Sequence, residues 1–141
     1  MVEIRVRYEG DLHCVAVHGP SGASFATDAP VDNQGRGESF SPTDLVATAL
    51  GTCMLTTMGI VAKRHDWNLQ GATATVKKVM VADPARRIGR LEVSIRVPGA
   101  LDAKARETLE KTAHTCPVHK SLAPNVEVPM TFEWSAHTAR A

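Results

Sequence analysis

The sequence predicts one α+β domain, with elements in the order β-β-β-α-β-β-α-α-β and a mixed sheet. Three observations lead there. Four segments, 2–8, 12–18, 72–82 and 88–97, alternate apolar and polar residues at the period of a strand. One long segment, residues 41–65 (SPTDLVATALGTCMLTTMGIVAKRH), is apolar on most sides, as a buried central helix is. The strands come in groups separated by helices, with no strict β-α alternation. The chain has 141 residues, so 1–141 reads as a single domain able to bury a core without disulfides or metals.

The elements follow in order. Residues 2–8 (VEIRVRY) alternate apolar with charged or polar side chains, the pattern of a half-buried strand. Residues 12–18 (LHCVAVH) repeat the pattern after Gly10-Asp11, so the two form a hairpin. A third strand is expected at 23–27. The polar stretch APVDNQGRGESF is a long loop, and loops of that length are usually functional or disordered. Ser41 is a good N-cap for the long helix, Pro42 fits its first turn, and Asp44 completes a capping box. Val46, Ala49, Leu50, Cys53, Thr57 and Ile60 fall on one face, widened by Leu45, Met54, Met58 and Val61. Gly51 and Gly59 weaken the helix and invite a close neighbour. Lys63, Arg64 and His65 suit its C-terminal end.

Residues 72–82 and 88–97 are strands joined by a turn at 83–86 that contains Pro84. A helix over 102–115 turns Leu101, Ala105, Leu109, Thr112 and Ala113 inward. Pro117 opens a short helix over 117–122. Residues 125–134 form a last strand, placed at an edge by Pro129.

Composition excludes several classes of function. Sixteen Lys and Arg against fifteen Asp and Glu leave a formal charge of +1, with no charge run. Nucleic-acid binding and attraction to an anionic membrane are therefore not expected. No apolar stretch is expected to reach the ~18 charge-free residues of a membrane span. The N-terminus MVEIRVRYEG lacks a signal peptide's apolar region, so a cytoplasmic location is expected. Cys14, Cys53 and Cys116 do not make a disulfide framework; in a reducing compartment they are free, catalytic or redox-sensing.

The cysteines carry most of the candidate chemistry. By itself Cys53 reads as a small core hydrophobe. Cys116 sits where one helix stops and Pro117 starts the next. Free N–H groups there favour a thiolate, and His114 and His119 can add positive charge. Packing at a helix corner is the alternative. His114-x-Cys116-x-x-His119 offers three metal ligands at no common zinc spacing. Cys116 with His119 resembles a nucleophile and base but lacks an orienting group. GRGES lacks the spacing and Lys of a phosphate-binding loop. His13, His18 and His137 read as solvated, Cys14 as filler, and Trp67 and Trp134 as packing anchors.

FSPTDLVATALGTCMLTTMG followed by TCPVHKSL resembles the OsmC/Ohr family of thiol-dependent hydroperoxide reductases. The markers are a Ser-Pro-x-Asp-Leu run that places Cys53 eleven residues after Pro42, and the Cys116-Pro117 pair. The likeness spans nearly the whole chain. It implies an intertwined homodimer with two sites at the subunit interface. It implies that Cys53 is the peroxidatic thiol and Cys116 the resolving one, in oxidative-stress defence. Cys53 would become a sulfenic acid and condense with Cys116. The substrate would be an organic or inorganic hydroperoxide, the reductant a dithiol such as a lipoyl group, and no cofactor is called for.

The family's organic-hydroperoxide branch activates its thiol with an Arg from the third-strand region and a Glu near the start of the buried helix. Here Ala23 and Thr43 stand near those places. Arg36 and Glu38, in the long loop, are the expected substitutes. Two other readings keep the same cysteines. One is a slow-turnover redox sensor or ligand-binding protein. The other is a structural dimer whose thiols only pack.

Overall fold

The computed structural model describes residues 1–135. The chain divides into two compact units, Met1–Val46 and Ala47–Ala141. The strands and helices follow the predicted α+β order, with one added 3-10 turn. His137 lies outside the described residues.

The first unit is an antiparallel meander of β1 (Ile4–Tyr8), β2 (His13–His18) and β3 (Ser24–Asp28). Gly10, Asp11 and Leu12 take positive φ in the predicted turn between β1 and β2. Val6, Ala16 and Phe25 sit side by side across the three strands. β1 departs from expectation. Its alternation predicts one covered face, yet Ile4, Val6 and Tyr8 are 52%, 65% and 62% exposed. A two-period pattern says which residues share a face, but not whether the same chain covers it. His13 also departs from its solvated reading: its Nδ1 lies 2.7 Å from Oδ1 of the buried Asp28.

The long loop closes on itself. It makes a 3-10 turn at Val31–Asn33, and Gly35 and Gly37 donate their N–H groups to Pro30 and Ala29 carbonyls. A Cβ at Gly35 would lie 1.8 Å from the Ala29 carbonyl oxygen, so only glycine fits this crossing. The loop ends at the start of α1 (Pro42–Arg64). There the capping box forms as predicted. The Asp44 N–H donates to Ser41 Oγ at 3.1 Å, and the Ser41 N–H donates to Asp44 Oδ2 at 2.9 Å. Both are N-terminal donors that the helix cannot satisfy internally.

In the second unit, α1 lies against a mixed sheet. β4 (Thr73–Val81) pairs antiparallel with β5 (Arg87–Val97), and β5 pairs parallel with β6 (Met130–Trp134). Leu91, Val93, Ile95 and Val97 alternate inward along β5 and are almost completely buried. β6 is an edge strand, as Pro129 predicts, but it starts later than expected. Pro129 has no N–H to donate, and residues before it are limited to a single bridge from Glu127 to Arg90. α2 (Ala103–Ala113) is capped by Asp102, whose side chain accepts the Ala105 N–H, and buries Ala105, Leu109 and Ala113. α3 (Pro117–Ser121) follows at once, with Cys116 as its N-cap.

The buried stripe of α1 is Ala47, Leu50, Gly51, Met54, Met58 and Ala62. It is rotated from the predicted face: Cys53 and Thr57 flank it half-buried, and Ile60 is exposed. The rotation follows from Gly51. A Cβ there would meet Val76 Cγ2 at 3.0 Å and Ala74 Cβ at 3.7 Å, so the helix presses its missing side chain onto β4. Membrane length needs correction as well. Residues 45–62 carry no charge, and α1 holds an 18-residue window of mean hydropathy 1.8. Among the described residues it is the one helix long and apolar enough to cross a bilayer. Its contacts with β4 make it a core helix of this fold.

Candidate functional site

Two elements bring the site together. α1 carries Cys53 beside the buried Met54, on the border between the buried stripe and the open side. The α2–α3 corner carries Cys116. Its N–H donates to the Ala113 carbonyl, Pro117 starts the next turn, and its side chain has no exposure to water. The His119 N–H donates to Cys116 Sγ at 3.3 Å, so the thiol caps α3 as a Ser or Asp would. The two free thiols are in hydrogen-bonding contact with each other. The expected peroxidatic and resolving residues are thus neighbours in the second unit.

The acid–base character of Cys116 reverses the local reading of the sequence. The helix N-terminus was expected to favour its thiolate. Instead, burial pushes the thiol above its ordinary value. The backbone N–H groups of His119 and Val118 act in the opposite sense, while Cys53 raises it further through a hydrogen bond and its charge. α3 has only five residues, so its dipole is small beside the cost of a buried anion.

Thr57 is the site residue that sequence reasoning placed only as a packing position. Its Oγ1 donates to the Cys53 carbonyl at 2.7 Å and stands 3.9 Å from Cys53 Sγ. Spacing of four along a helix was the available signal. His119 Nδ1 lies 3.1 Å from the His114 carbonyl oxygen. An oxygen there accepts only, so this nitrogen carries the proton and is not a metal ligand. Among the described residues, no group of three or more His, Cys, Asp or Glu is placed to hold a metal ion.

The expected activators belong to the first unit, the thiols to the second. Arg36 and Glu38 pair with each other through one contact of 3.5 Å. The guanidinium also reaches Asp11 Oδ2 at 3.5 Å, and all three side chains are well exposed. Thr43 Oγ1 lies 3.3 Å from Ser41 Oγ in the helix cap, and Ala23 donates its N–H to Ser21 Oγ in the turn before β3.

A long core helix bearing one thiol, met by a second thiol at a Cys-Pro helix start, defines a two-thiol α+β protein. The family model for OsmC-like proteins matches residues 35–131, and the chain belongs to that family. No curated protein matches the chain. Among solved structures, it is similar to a protein from Psychrobacter arcticus 273-4, provisionally described as an osmotic stress induced and detoxification response protein. The two are 46% identical, with 94% of this chain and 96% of that chain covered and a TM-score of 0.89. An organic hydroperoxide resistance protein OsmC from Legionella pneumophila shares the fold at 18% identity, covering 94% and 96%, with a TM-score of 0.76. An OsmC-like protein from Mycoplasma pneumoniae does so at 14% identity, covering 97% and 98%, with a TM-score of 0.81.

Proposed function

We propose that this protein reduces hydroperoxides with the Cys53–Cys116 dithiol. The observation that carries the reading is the hydrogen-bonded pair of free thiols in which Cys116 is held back from ionising. Burial raises the Cys116 thiol, whose side chain has no exposure to water, while Cys53 is half-buried and within reach of a substrate. Cys53 is therefore the nucleophile. Its thiolate attacks a peroxide oxygen; the S–O bond forms, the O–O bond breaks, and the leaving alkoxide takes a proton to become an alcohol or water. Cys116 then attacks the Cys53 sulfenic sulfur. The S–S bond forms, the S–O bond breaks, and the Cys116 proton leaves with the hydroxide as water. A small dithiol of the lipoyl class returns both cysteines to thiols by two exchanges and is itself oxidised to a disulfide. The hydroperoxide resistance named for the Legionella pneumophila relative supports the substrate class.

In this reading Arg36 supplies the activating cation and Glu38 steadies it, which their ion pair supports. The working unit is a homodimer in a reducing, cytoplasmic setting. The uncovered apolar row on β1 supports a second chain. The test is peroxide consumption with an alkyl hydroperoxide or hydrogen peroxide and dihydrolipoamide as reductant. Turnover should vanish in Cys53→Ser. Cys116→Ser should stop after one equivalent, with a sulfenic acid trapped on Cys53 by a dimedone-type reagent. One equivalent consumed by the unmodified protein would favour the sensing reading, and none would remove both.

A further inference from the structure

We propose that the Thr57 hydroxyl is a switchable hydrogen-bond donor, serving the Cys53 carbonyl while Cys53 is a thiol and the Cys53 sulfur once it is a thiolate. The proposal deepens the dithiol reading by naming a positioning residue for its nucleophile. It rests on the geometry of α1 alone. A hydroxyl has one proton, and in the thiol state Thr57 spends it on the Cys53 carbonyl at 2.7 Å. That carbonyl does not depend on it. Inside an α-helix, Cys53 C=O already accepts the backbone N–H four residues on, which is Thr57's own. The hydroxyl bond is a second one, so it can be surrendered without leaving a buried acceptor empty. The other acceptor in reach is Cys53 Sγ at 3.9 Å.

Which acceptor wins depends on charge. A neutral thiol sulfur is a weak acceptor and loses to the carbonyl. A thiolate is charged, and charged acceptors form roughly twice as strong a bond as neutral ones. Rotation about the C–O bond, with a closing of the gap by a few tenths of an ångström, moves the proton from one acceptor to the other. The new bond exists only in the charged state, so it favours the form of Cys53 that reacts. This supplies from within the helix part of what Ala23 and Thr43 do not supply.

The experiment measures Cys53 alone and needs no peroxide. Iodoacetamide alkylation of Cys53 is followed against pH by peptide mass analysis in the full chain. The variants are Thr57→Val, which keeps the shape and removes the hydroxyl, Thr57→Ala as a second deletion should Val not fold, and Thr57→Ser. Val and Ala should move the half-point for Cys53 alkylation up by about one pH unit, a roughly tenfold loss of thiolate at neutral pH. Ser should follow the unmodified protein. Unchanged half-points in Val and Ala overturn the proposal. So does a downward shift, the result of an oxygen lone pair that stays aimed at the sulfur. Equal shifts in Ser and Val also overturn it, because the methyl group would then be responsible. If the unmodified protein consumes no peroxide while these shifts appear, the hydroperoxide reading fails and the Thr57 assignment stands.

Discussion

Cys116 caps a helix of five residues, gains the His119 N–H, and loses its contact with water. Burial outweighs the cap, and the sign of the result sets a pH dependence. A thiol raised in the folded state adds stability below its unfolded value, and that contribution is lost as pH climbs through the folded value. The window therefore opens at about pH 8.5, where an unfolded thiol ionises, and extends upward. Thermal unfolding should fall faster between pH 8 and roughly 10 in the unmodified protein than in Cys116→Ala. Parallel curves would mean that burial of this thiol does not govern its ionisation. Arg36 allows a second test at this scale. Arg36→Ala and Arg36→Lys should both slow peroxide consumption, by roughly tenfold or more, since Lys lacks the planar fork that faces two carboxylates. Equal rates in all three proteins would remove Arg36 from the site and leave activation to the thiols' own neighbours.

Among the elements, α1 carries the greatest burden. Its stripe of Leu50, Met54 and Met58 is fully buried, and Gly51 sets how closely the helix meets β4. Gly51→Leu would drive a side chain into Val76 and Ala74. It should cost about 1–3 kcal/mol, the usual range for overpacking. Gly59 differs. A Cβ there meets nothing within 4 Å, so Gly59→Ala should gain up to about 1 kcal/mol of helix propensity. Denaturant unfolding of both variants checks the pair. A loss at Gly59 would place a second chain against that face of α1.

For the whole molecule, the first sheet presents an exposed apolar row. Ile4, Val6 and Tyr8 line one face of β1, and Phe25 on β3 shares that face through Ala16. An exposed apolar row on an edge strand is a liability that proteins cover or charge. Ion pairs on the opposite face, such as Arg7 with Glu9, fit solvent. The proposed homodimer covers the apolar face with a second copy. Light scattering of the unmodified protein should give twice the chain mass at micromolar concentration. Val6→Glu, exposed within one chain, should shift it toward monomer. A chain that is monomeric and stable in both forms would rule the assembly out.

The sequence by itself determined the elements and the family. Caps, turn glycines and apolar periods are local signals. Ser41 with Asp44, Pro117 after Cys116, and the alternation along β5 were legible because neighbours in sequence decide them. Cys53 and Cys116 were legible as a pair only through the resemblance, since nothing local links them. The tertiary structure decided what depends on distance and burial. It rotated the buried face of α1 because Gly51 meets Val76. It left β1 uncovered. It gave Cys116 a raised value where its helix cap alone argued for a lowered one, because removing water from an anion costs more than a five-residue helix returns.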